Sequence, residues 1–277
     1  MKNAIWYLFL AVSLILHGCT NDSPTESTNQ NTLVVEAFLY AEEPINSIKL
    51  TKSIGLGSND TIAPTVDDAS ISLIRNGKSY QLINDQSRSG YYIYDGTDIS
   101  VNPGDNFSLL INYQGKQVTG STSVPSKPEN VQLSKATLTL ATLSGFPGPG
   151  GGGGAEDTNS IYLKWSNPDS SLYYVVIENL ETNPTEISTG NLPPGAQIIR
   201  RMTFPPISAS EFVIGRRNLT YYGNHKAIVY KVNQEYADLY ESRNQDSRNL
   251  NEPLTNIKNG LGVFSAFASE VVYFNVK

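Results

Sequence analysis

The sequence predicts a mainly β protein built from two β-sandwich domains, with one short helix near the C-terminus. Short runs in which apolar and polar residues alternate recur from residue 32 onward. Gly, Asn, Asp and Pro separate these runs about every ten residues, which is typical of a small β-sandwich. Only residues 233–243 have a helical pattern, with apolar side chains at spacings of three and four.

The first 18 residues have the composition of a secretory signal peptide. Lys2 gives a positive start, residues 4–16 are apolar, and the small residue Gly18 stands at the end. The apolar run is too short to span a membrane. Cys19, the only cysteine, follows directly, which predicts cleavage before Cys19 and acylation of its thiol. The alternatives are an ordinary signal with a coincidental cysteine, or an uncleaved N-terminal helix.

The residues around Cys19 strengthen the lipoprotein prediction. The order Leu16-His17-Gly18-Cys19 resembles the bacterial lipobox. Residues 19–31 are polar and hold too few apolar side chains to fold, so they are expected to form a flexible lipidated tether. The residue after Cys19 is Thr20 and not aspartate, which favours the outer membrane, at its periplasmic or its cell-surface face.

Composition excludes several kinds of partner and site. The formal net charge of -6 argues against nucleic acid as a partner. With Cys19 acylated, no disulfide can form. Removal of the signal leaves His225 as the only histidine, so a zinc site built from histidine and cysteine lacks ligands. No cofactor or metal is predicted.

The N-terminal domain is predicted to cover residues 32–124. Residues 46–52 alternate cleanly, and residues 69–83 are typical of a hairpin whose tight turn is Asn76-Gly77. Residues 90–94 and 107–123 supply further strands. A link at 125–128 follows, because Pro125 and Pro128 disfavour strand pairing.

The C-terminal domain is predicted to cover residues 129–277. A long strand is expected at 131–143, followed by a surface loop at 145–157 that is rich in glycine. This loop has no phosphate-binding lysine and no following helix, which argues against a nucleotide site. Trp165 on an early strand, opposite the tyrosine-rich strand near Tyr173, is typical of a fibronectin-like core.

The chain is expected to close with a strand over 263–276 that is bent or interrupted near Ser269. Gly260 and Gly262 suggest either torsions closed to other residues or the close approach of another strand. Phe264 is expected to be buried under the second sandwich. The alternative is that residues 260–267 form a lip that binds a partner.

Several side chains are candidates for chemistry. Acidic residues that could pair are Asp67 with Asp68, Asp95 with Asp98, and Glu235 with Asp238. Residues 95–98 with Asp105 could hold calcium, although the EF-hand spacing is absent. In turns such acidic residues more often cap and solvate the backbone. His225 is the only histidine available to a catalytic triad, and a satisfied surface position is expected for it.

Tyrosine is frequent, with 16 residues, and it clusters at Tyr91, Tyr92 and Tyr94. An exposed tyrosine on a rigid strand can stack on a sugar or anchor a protein interface. We therefore predict these three as ligand-binding residues. The alternative is that they are ordinary strand residues, of which alternate members face the core.

Four segments resemble a known family. They are residues 33–39, 48–50, Val124-Pro125 and, above all, residues 256–267 (NIKNGLGVFSAF). Together they resemble domain of unknown function 4249, a family of outer-membrane lipoproteins of the Bacteroidota. The first half also resembles the carboxypeptidase regulatory-type sandwich. The family resemblance implies a lipid-anchored envelope protein, often encoded beside TonB-dependent receptors, with no established activity and no catalytic residues.

The sequence therefore favours a non-catalytic binding or accessory lipoprotein that works with an outer-membrane TonB-dependent β-barrel receptor. The alternative is a structural or adhesive surface lipoprotein. An enzyme is the least supported of the three, because none of the candidate side chains lies in a recognisable catalytic motif.

Overall fold

The computed structural model describes residues 31–55, 58–140, 159–187, 199–243 and 255–277. The predicted signal peptide, Cys19 and all but one residue of the predicted tether lie outside these ranges, as does the loop 145–157. No helix within the described ranges is long and apolar enough to cross a membrane.

Strands dominate the described chain, which confirms the mainly β prediction. In chain order they are β1 Leu33–Tyr40, β2 Ser47–Lys52, β3 Ser70–Arg75, β4 Lys78–Asn84, β5 Tyr91–Ile93, β6 Asn106–Tyr113, β7 Lys116–Ser123, β8 Glu129–Leu133, β9 Thr137–Leu138, β10 Ile161–Ser166, β11 Leu172–Asn179, β12 Arg201–Thr203, β13 Glu211–Ile214, β14 Gly223–Val232, β15 Ile257–Lys258 and β16 Leu261–Val276. A single turn of 3-10 helix covers Arg216–Asn218, and the predicted short helix is α1, Gln234–Arg243.

Two sheets contain these strands. The larger has the order β12-β11-β14-β16-β1-β2-β5-β4-β3-β6-β7-β15, with β9 paired to the end of β16. The smaller has the order β13-β10-β8. Every pairing in the large sheet is antiparallel except those of β16 with β1 and with β9.

The first sandwich forms because the large sheet folds back on itself at β4, which pairs with β5 on one side and β3 on the other. One core then joins inward side chains of β1, β2 and β5 to those of β3, β6 and β7. The predicted hairpin turn is confirmed, since Asn76 and Gly77 have φ of 50° and 77°. Asparagine and glycine tolerate these positive torsions better than other residues do.

The second sandwich packs β8, β10 and β13 against β11, β14 and the C-terminal half of β16. Trp165 is buried in this core with its ring 5.4 Å from that of Tyr173, as predicted. The expected long strand at 131–143 is wrong over its described part. The chain instead leaves the small sheet after Leu133 and joins the large sheet at Thr137.

The C-terminal strand connects the two sandwiches. Residues 261–267 of β16 run parallel to β1, and residues 267–276 run antiparallel to β14. The strand is not interrupted near Ser269, because Ser269 pairs with Tyr230 in an unbroken ladder. The alternative of a bend there stays a prediction. The predicted domain boundary at 125–128 stays a prediction. Strand β7 ends before these residues, and β8 begins after them.

The two reasons predicted for glycine in this strand, an unusual torsion and the close approach of another strand, are both confirmed at Gly262. Gly262 has φ of 104°, and a side chain there would meet the backbone of Val35 on β1. Phe264 is 0% exposed, as expected of a core residue. Its predicted place under the second sandwich is wrong, because the parallel pairing with β1 puts Phe264 in the first core.

A third cluster accounts for several of the tyrosines. It lies across the outer face of β1, β16, β14 and β11, where helix α1 packs. Its rings are those of Phe38, Tyr40, Tyr174, Tyr230, Tyr236 and Phe267. Tyr174 and Tyr230 stack at 4.7 Å, so these aromatic side chains serve packing between the two halves of the sheet.

Candidate functional site

The three tyrosines predicted to bind a ligand do not share one surface. Tyr92 is 1% exposed; its hydroxyl donates to the Val66 carbonyl at 3.1 Å and accepts from the Ala69 N–H at 3.0 Å. A ligand cannot reach a ring held in this way, so the ligand-binding prediction is wrong for Tyr92. It lies in the core because the side chains of β5 alternate between the two faces.

Tyr91 points to the outer face of the first sandwich. The guanidinium of Arg88 lies 4.5 Å from its ring centroid, and the ammonium of Lys49 lies 5.9 Å from it. Arg88 is in turn paired with Asp85 at 2.7 Å. The ring of Tyr91 therefore has cationic neighbours already, at the distances of favourable cation–π contacts.

Tyr94 lines a cleft of about 300 Å³ at one end of the first sandwich. Two segments form the cleft, residues 42–45 between β1 and β2 and residues 94–101 after β5. Main-chain hydrogen bonds join them, from Glu42 N–H to the Val101 carbonyl at 2.8 Å and from Tyr94 N–H to the Ile45 carbonyl at 2.9 Å. The volume is at the lower end of that of small-molecule sites.

The cleft has an apolar floor and a polar rim. Ile45, Ile99 and Val101 supply the floor, and Glu42, Glu43 and Ser100 supply the rim. Glu42 adopts a positive φ of 65°, which is uncommon for a residue with a side chain. Its carboxylate accepts from the ammonium of Lys127 at 2.6 Å. These rim residues were not predicted from the sequence; the Glu42-Glu43-Pro44 turn after an alternating strand was the available signal.

Asp98 links Tyr94 to Lys78 at the start of β4. Its carboxylate accepts from the Lys78 ammonium at 2.6 Å and from the Tyr94 hydroxyl. These hydrogen bonds hold the pKa of Asp98 below its ordinary value, and the bond to Asp98 raises the pKa of Tyr94. The phenol therefore stays protonated, and its ring is positioned at the cleft wall.

The candidate calcium loop is not assembled. Asp98 is held by Lys78, whereas Asp105 accepts from the guanidinium of Arg75 at 2.9 Å. Because each carboxylate faces its own cation, they do not converge on one point. Among the described residues no group of three or more His, Cys, Asp or Glu side chains is arranged to hold a metal ion.

Two of the other acidic candidates, Asp67 and Glu235, hold the backbone or a neighbouring side chain. Asp67 accepts from Gly90 N–H, Ser89 and Asn84, and the bond from Gly90 is the main reason that the pKa of Asp67 is lowered. Glu235 accepts from the Thr122 hydroxyl at 2.9 Å. These contacts agree with the capping and solvating alternative.

His225 is buried, so the expected surface position is wrong. It is 2% exposed because β14 lies between β11 and β16. Phe274 of β16 stacks on the imidazole, with 5.2 Å between the ring centroids. Its Nδ1 lies 2.9 Å from the Gly223 carbonyl, which can only accept, so Nδ1 carries the proton. Nε2 then accepts from the Asn179 amide at 3.2 Å.

Asn179 keeps His225 neutral. Its Nδ2 also donates to the Tyr222 carbonyl at 3.0 Å, and its Oδ1 accepts from Glu181 N–H at 3.1 Å. The amide therefore cannot turn to offer an oxygen to a protonated ring. Burial is the reason that the pKa of His225 is lowered. With both nitrogens occupied, this imidazole has no lone pair with which to act as a general base.

Comparisons with known proteins give one family match and several distant structural ones. A family model described as "Domain of unknown function (DUF4249)" matches residues 20–271. The chain has no match among curated proteins. Among solved structures it is similar to titin domains A168-A170 with 11% identity, covering 90% of this chain and 68% of that one, at a TM-score of 0.21.

Two further structures match at the same level. One is the chicken CNTN1 FN1-FN3 domains, with 11% identity, 89% of this chain and 66% of that one, and a TM-score of 0.21. The other is a bacterial ice-binding adhesin, with 12% identity, 90% and 66% coverage, and a TM-score of 0.21. Scores this low do not define a shared fold, and the two sandwiches described above rest on their own strands and cores.

Proposed function

We propose that this chain, which belongs to the family described as domain of unknown function DUF4249, is a lipid-anchored, non-catalytic binding or accessory protein of the cell envelope. The family match confirms the resemblance found in the sequence. The proposed anchor is lipid on Cys19, and the proposed partner is an outer-membrane TonB-dependent receptor.

The candidate catalytic side chains are already bound to other groups of the protein, and this observation supports the non-catalytic part of the proposal. His225 is buried with both ring nitrogens bound. Asp98 and Asp105 each face a separate cation, and Asp67 holds the loop before β5. A general acid or base must reach a substrate proton within hydrogen-bonding distance. None of these groups is placed to do so, whereas the Tyr94 cleft can receive a ligand.

The order of segments supports the anchored location. The lipobox-like residues 16–19 come first, a polar stretch follows, and β1 begins at Leu33. Only 13 residues separate Cys19 from the start of β1. A fold joined to a lipid through so short a segment can contact a protein in the same membrane.

Membrane fractionation and affinity purification test the proposal. The full chain, tagged at its C-terminus, is purified from detergent-solubilised membranes beside Cys19→Ala. The wild type should remain in the membrane fraction and retain a β-barrel protein. Cys19→Ala should be unprocessed or poorly membrane-bound, since stable anchoring needs more than one acyl chain.

Two tyrosine variants connect the partner to the cleft. Tyr94→Ala should lose the β-barrel protein, and Tyr162→Ala, at an exposed tyrosine of the small sheet, should keep it. Wild-type protein that is soluble without detergent would contradict the anchor. Purification of self-associated chains alone would favour the structural or adhesive alternative.

A further inference from the structure

A second cleft, of about 500 Å³, lies at the end of the second sandwich, away from Tyr94. Leu180, Glu181, Asn224, Tyr273 and Asn275 are among the residues that line it, and we call it the Tyr273 cleft. Leu180 and Glu181 directly follow β11, Asn224 is on β14, and Tyr273 and Asn275 are on β16. Its volume is in the range of small-molecule sites.

The cleft exposes an aromatic ring on a rigid strand. Phe274 and Val276 of β16 face the second core, so the alternate residues Tyr273 and Asn275 face outward. Tyr273 is 65% exposed, and Leu180, on the other side of β14, is 43% exposed. Because β16 is hydrogen-bonded to β14 at this point, the ring is presented without the entropy cost of ordering a loop.

Hydrogen-bonding groups of both kinds surround the ring. The Asn275 amide donates to Asn224 Oδ1 at 2.9 Å, and Glu181 Oε1 accepts from Asn224 N–H at 2.7 Å. These contacts fix the three side chains in place. They leave Asn275 Oδ1, Asn224 Nδ2 and Glu181 Oε2 without a partner among the described residues, which gives two acceptors and one donor at the cleft.

The charged side chains near the cleft indicate which net charge its ligand has. Glu181 brings a carboxylate into the cleft, and Lys226, which pairs with Tyr273 across the strands, is bound to Glu178 at 3.2 Å. An anion would be repelled by the Glu181 carboxylate. The nearby guanidinium of Arg200 is held by the main-chain carbonyls of Glu181 and Thr182, at 3.1 and 3.2 Å. A purely apolar ligand would leave the amides and the carboxylate desolvated.

We propose that the Tyr273 cleft binds a neutral carbohydrate. A pyranose ring has an apolar C–H face that stacks on an aromatic ring, and its hydroxyls both donate and accept hydrogen bonds. One sugar would stack on Tyr273. Its hydroxyls would donate to Asn275 Oδ1 and Glu181 Oε2 and accept from Asn224 Nδ2. The proposal needs neither the membrane anchor nor the receptor.

Calorimetric titration of the full mature chain tests this site. The chain is held in an amine-oxide detergent, because a glycoside detergent would compete. The probes are neutral oligosaccharides of glucose, galactose, mannose or xylose, and one uronate oligosaccharide. At least one neutral probe should bind, and the uronate probe should bind more weakly.

Matched variants assign the binding to the cleft. Tyr273→Ala should weaken binding about tenfold or more, whereas Tyr273→Phe, which keeps the ring, should stay within about threefold of the wild type. Asn275→Ala should also weaken binding about tenfold. Tyr162→Ala is the control, since Tyr162 is 44% exposed on the other sheet, and it should bind like the wild type.

Three results would overturn the proposal. They are no binding of any neutral probe, binding that Tyr273→Ala leaves unchanged, and preference for the uronate probe. Loss of a co-purifying protein from Tyr273→Ala without any effect on sugar would assign the cleft to a protein interface instead. Unchanged thermal unfolding of the variants shows that these outcomes report the site and not the fold.

Discussion

Replacing Gly262 by alanine should destabilise the protein strongly, because two independent penalties meet at this position. Gly262 has φ of 104°, outside the regions that residues with a side chain favour. An alanine Cβ would also overlap the carbonyl oxygen of Val35 and lie 2.9 Å from the Val35 nitrogen and carbonyl carbon. Val35 and Gly262 are register partners in the parallel pair of β1 and β16.

The magnitude follows from the two parts. A strained torsion costs about 1–3 kcal/mol. Relief of the overlap requires β1 and β16 to separate locally, and the loss of two ladder hydrogen bonds costs about another 2–3 kcal/mol. The sum, about 3–6 kcal/mol, is a large part of the stability of a domain, about 5–15 kcal/mol.

Gly104→Ala is the matched control. Gly104 has φ of 87°, but a Cβ there would meet no atom within 4 Å. It should therefore lose only the torsional part, about 1–3 kcal/mol. Urea unfolding of the wild type and both variants, followed by circular dichroism, measures the free energies of unfolding. If Gly262→Ala lost no more than Gly104→Ala, the close approach of β1 and β16 at Gly262 would be wrong.

Three further variants test other parts of the structure by denaturant unfolding. Phe264→Ala should lose about 3–5 kcal/mol, because it empties a fully buried site in the first core; a smaller loss would place the ring at the surface. Asn256→Ala should lose about 1–3 kcal/mol, because its side chain accepts from Phe264 N–H at 2.9 Å and donates to the Phe264 carbonyl at 2.7 Å; an unchanged free energy of unfolding would contradict these two hydrogen bonds. Since the pKa of His225 is lowered on folding, the unfolded state takes up the proton first as pH falls below its ordinary value of about 6.5. Stability should therefore fall from pH 7.5 towards pH 5.5, and His225→Gln should flatten this slope; an unchanged slope would assign it to other groups.

The family resemblance is carried above all by residues 256–267 (NIKNGLGVFSAF), and the structure shows which contacts these residues make. Asn256 binds both main-chain groups of Phe264 and also donates to the Ser121 carbonyl at 3.2 Å. Asn259 donates to the Gln117 carbonyl at 3.0 Å. These amides join the start of β16 to β7. The residues that carry the resemblance therefore hold the first sandwich closed, which agrees with the expected structural role of residues 260–267 and not with the alternative of a partner-binding lip.

Local features of the fold were predictable from the sequence alone. The Asn76-Gly77 turn, the alternation around Trp165 and helix α1 each depend on residues within a few positions of one another. Backbone torsions and side-chain periodicity determine such features directly. For the same reason the unusual torsion or close strand approach at Gly262 could be predicted from the sequence, although the partner strand β1 could not.

Only the tertiary structure decided which elements meet. β16 pairs with β1, more than 200 positions earlier in the chain, and this pairing places Phe264 in the first core and not the second. Alternation shows that a strand has two faces but not which neighbours cover them. That is why Tyr92 is core while Tyr94 lines a cleft, why His225 is buried, and why Tyr273 stands exposed beside Asn224 and Asn275.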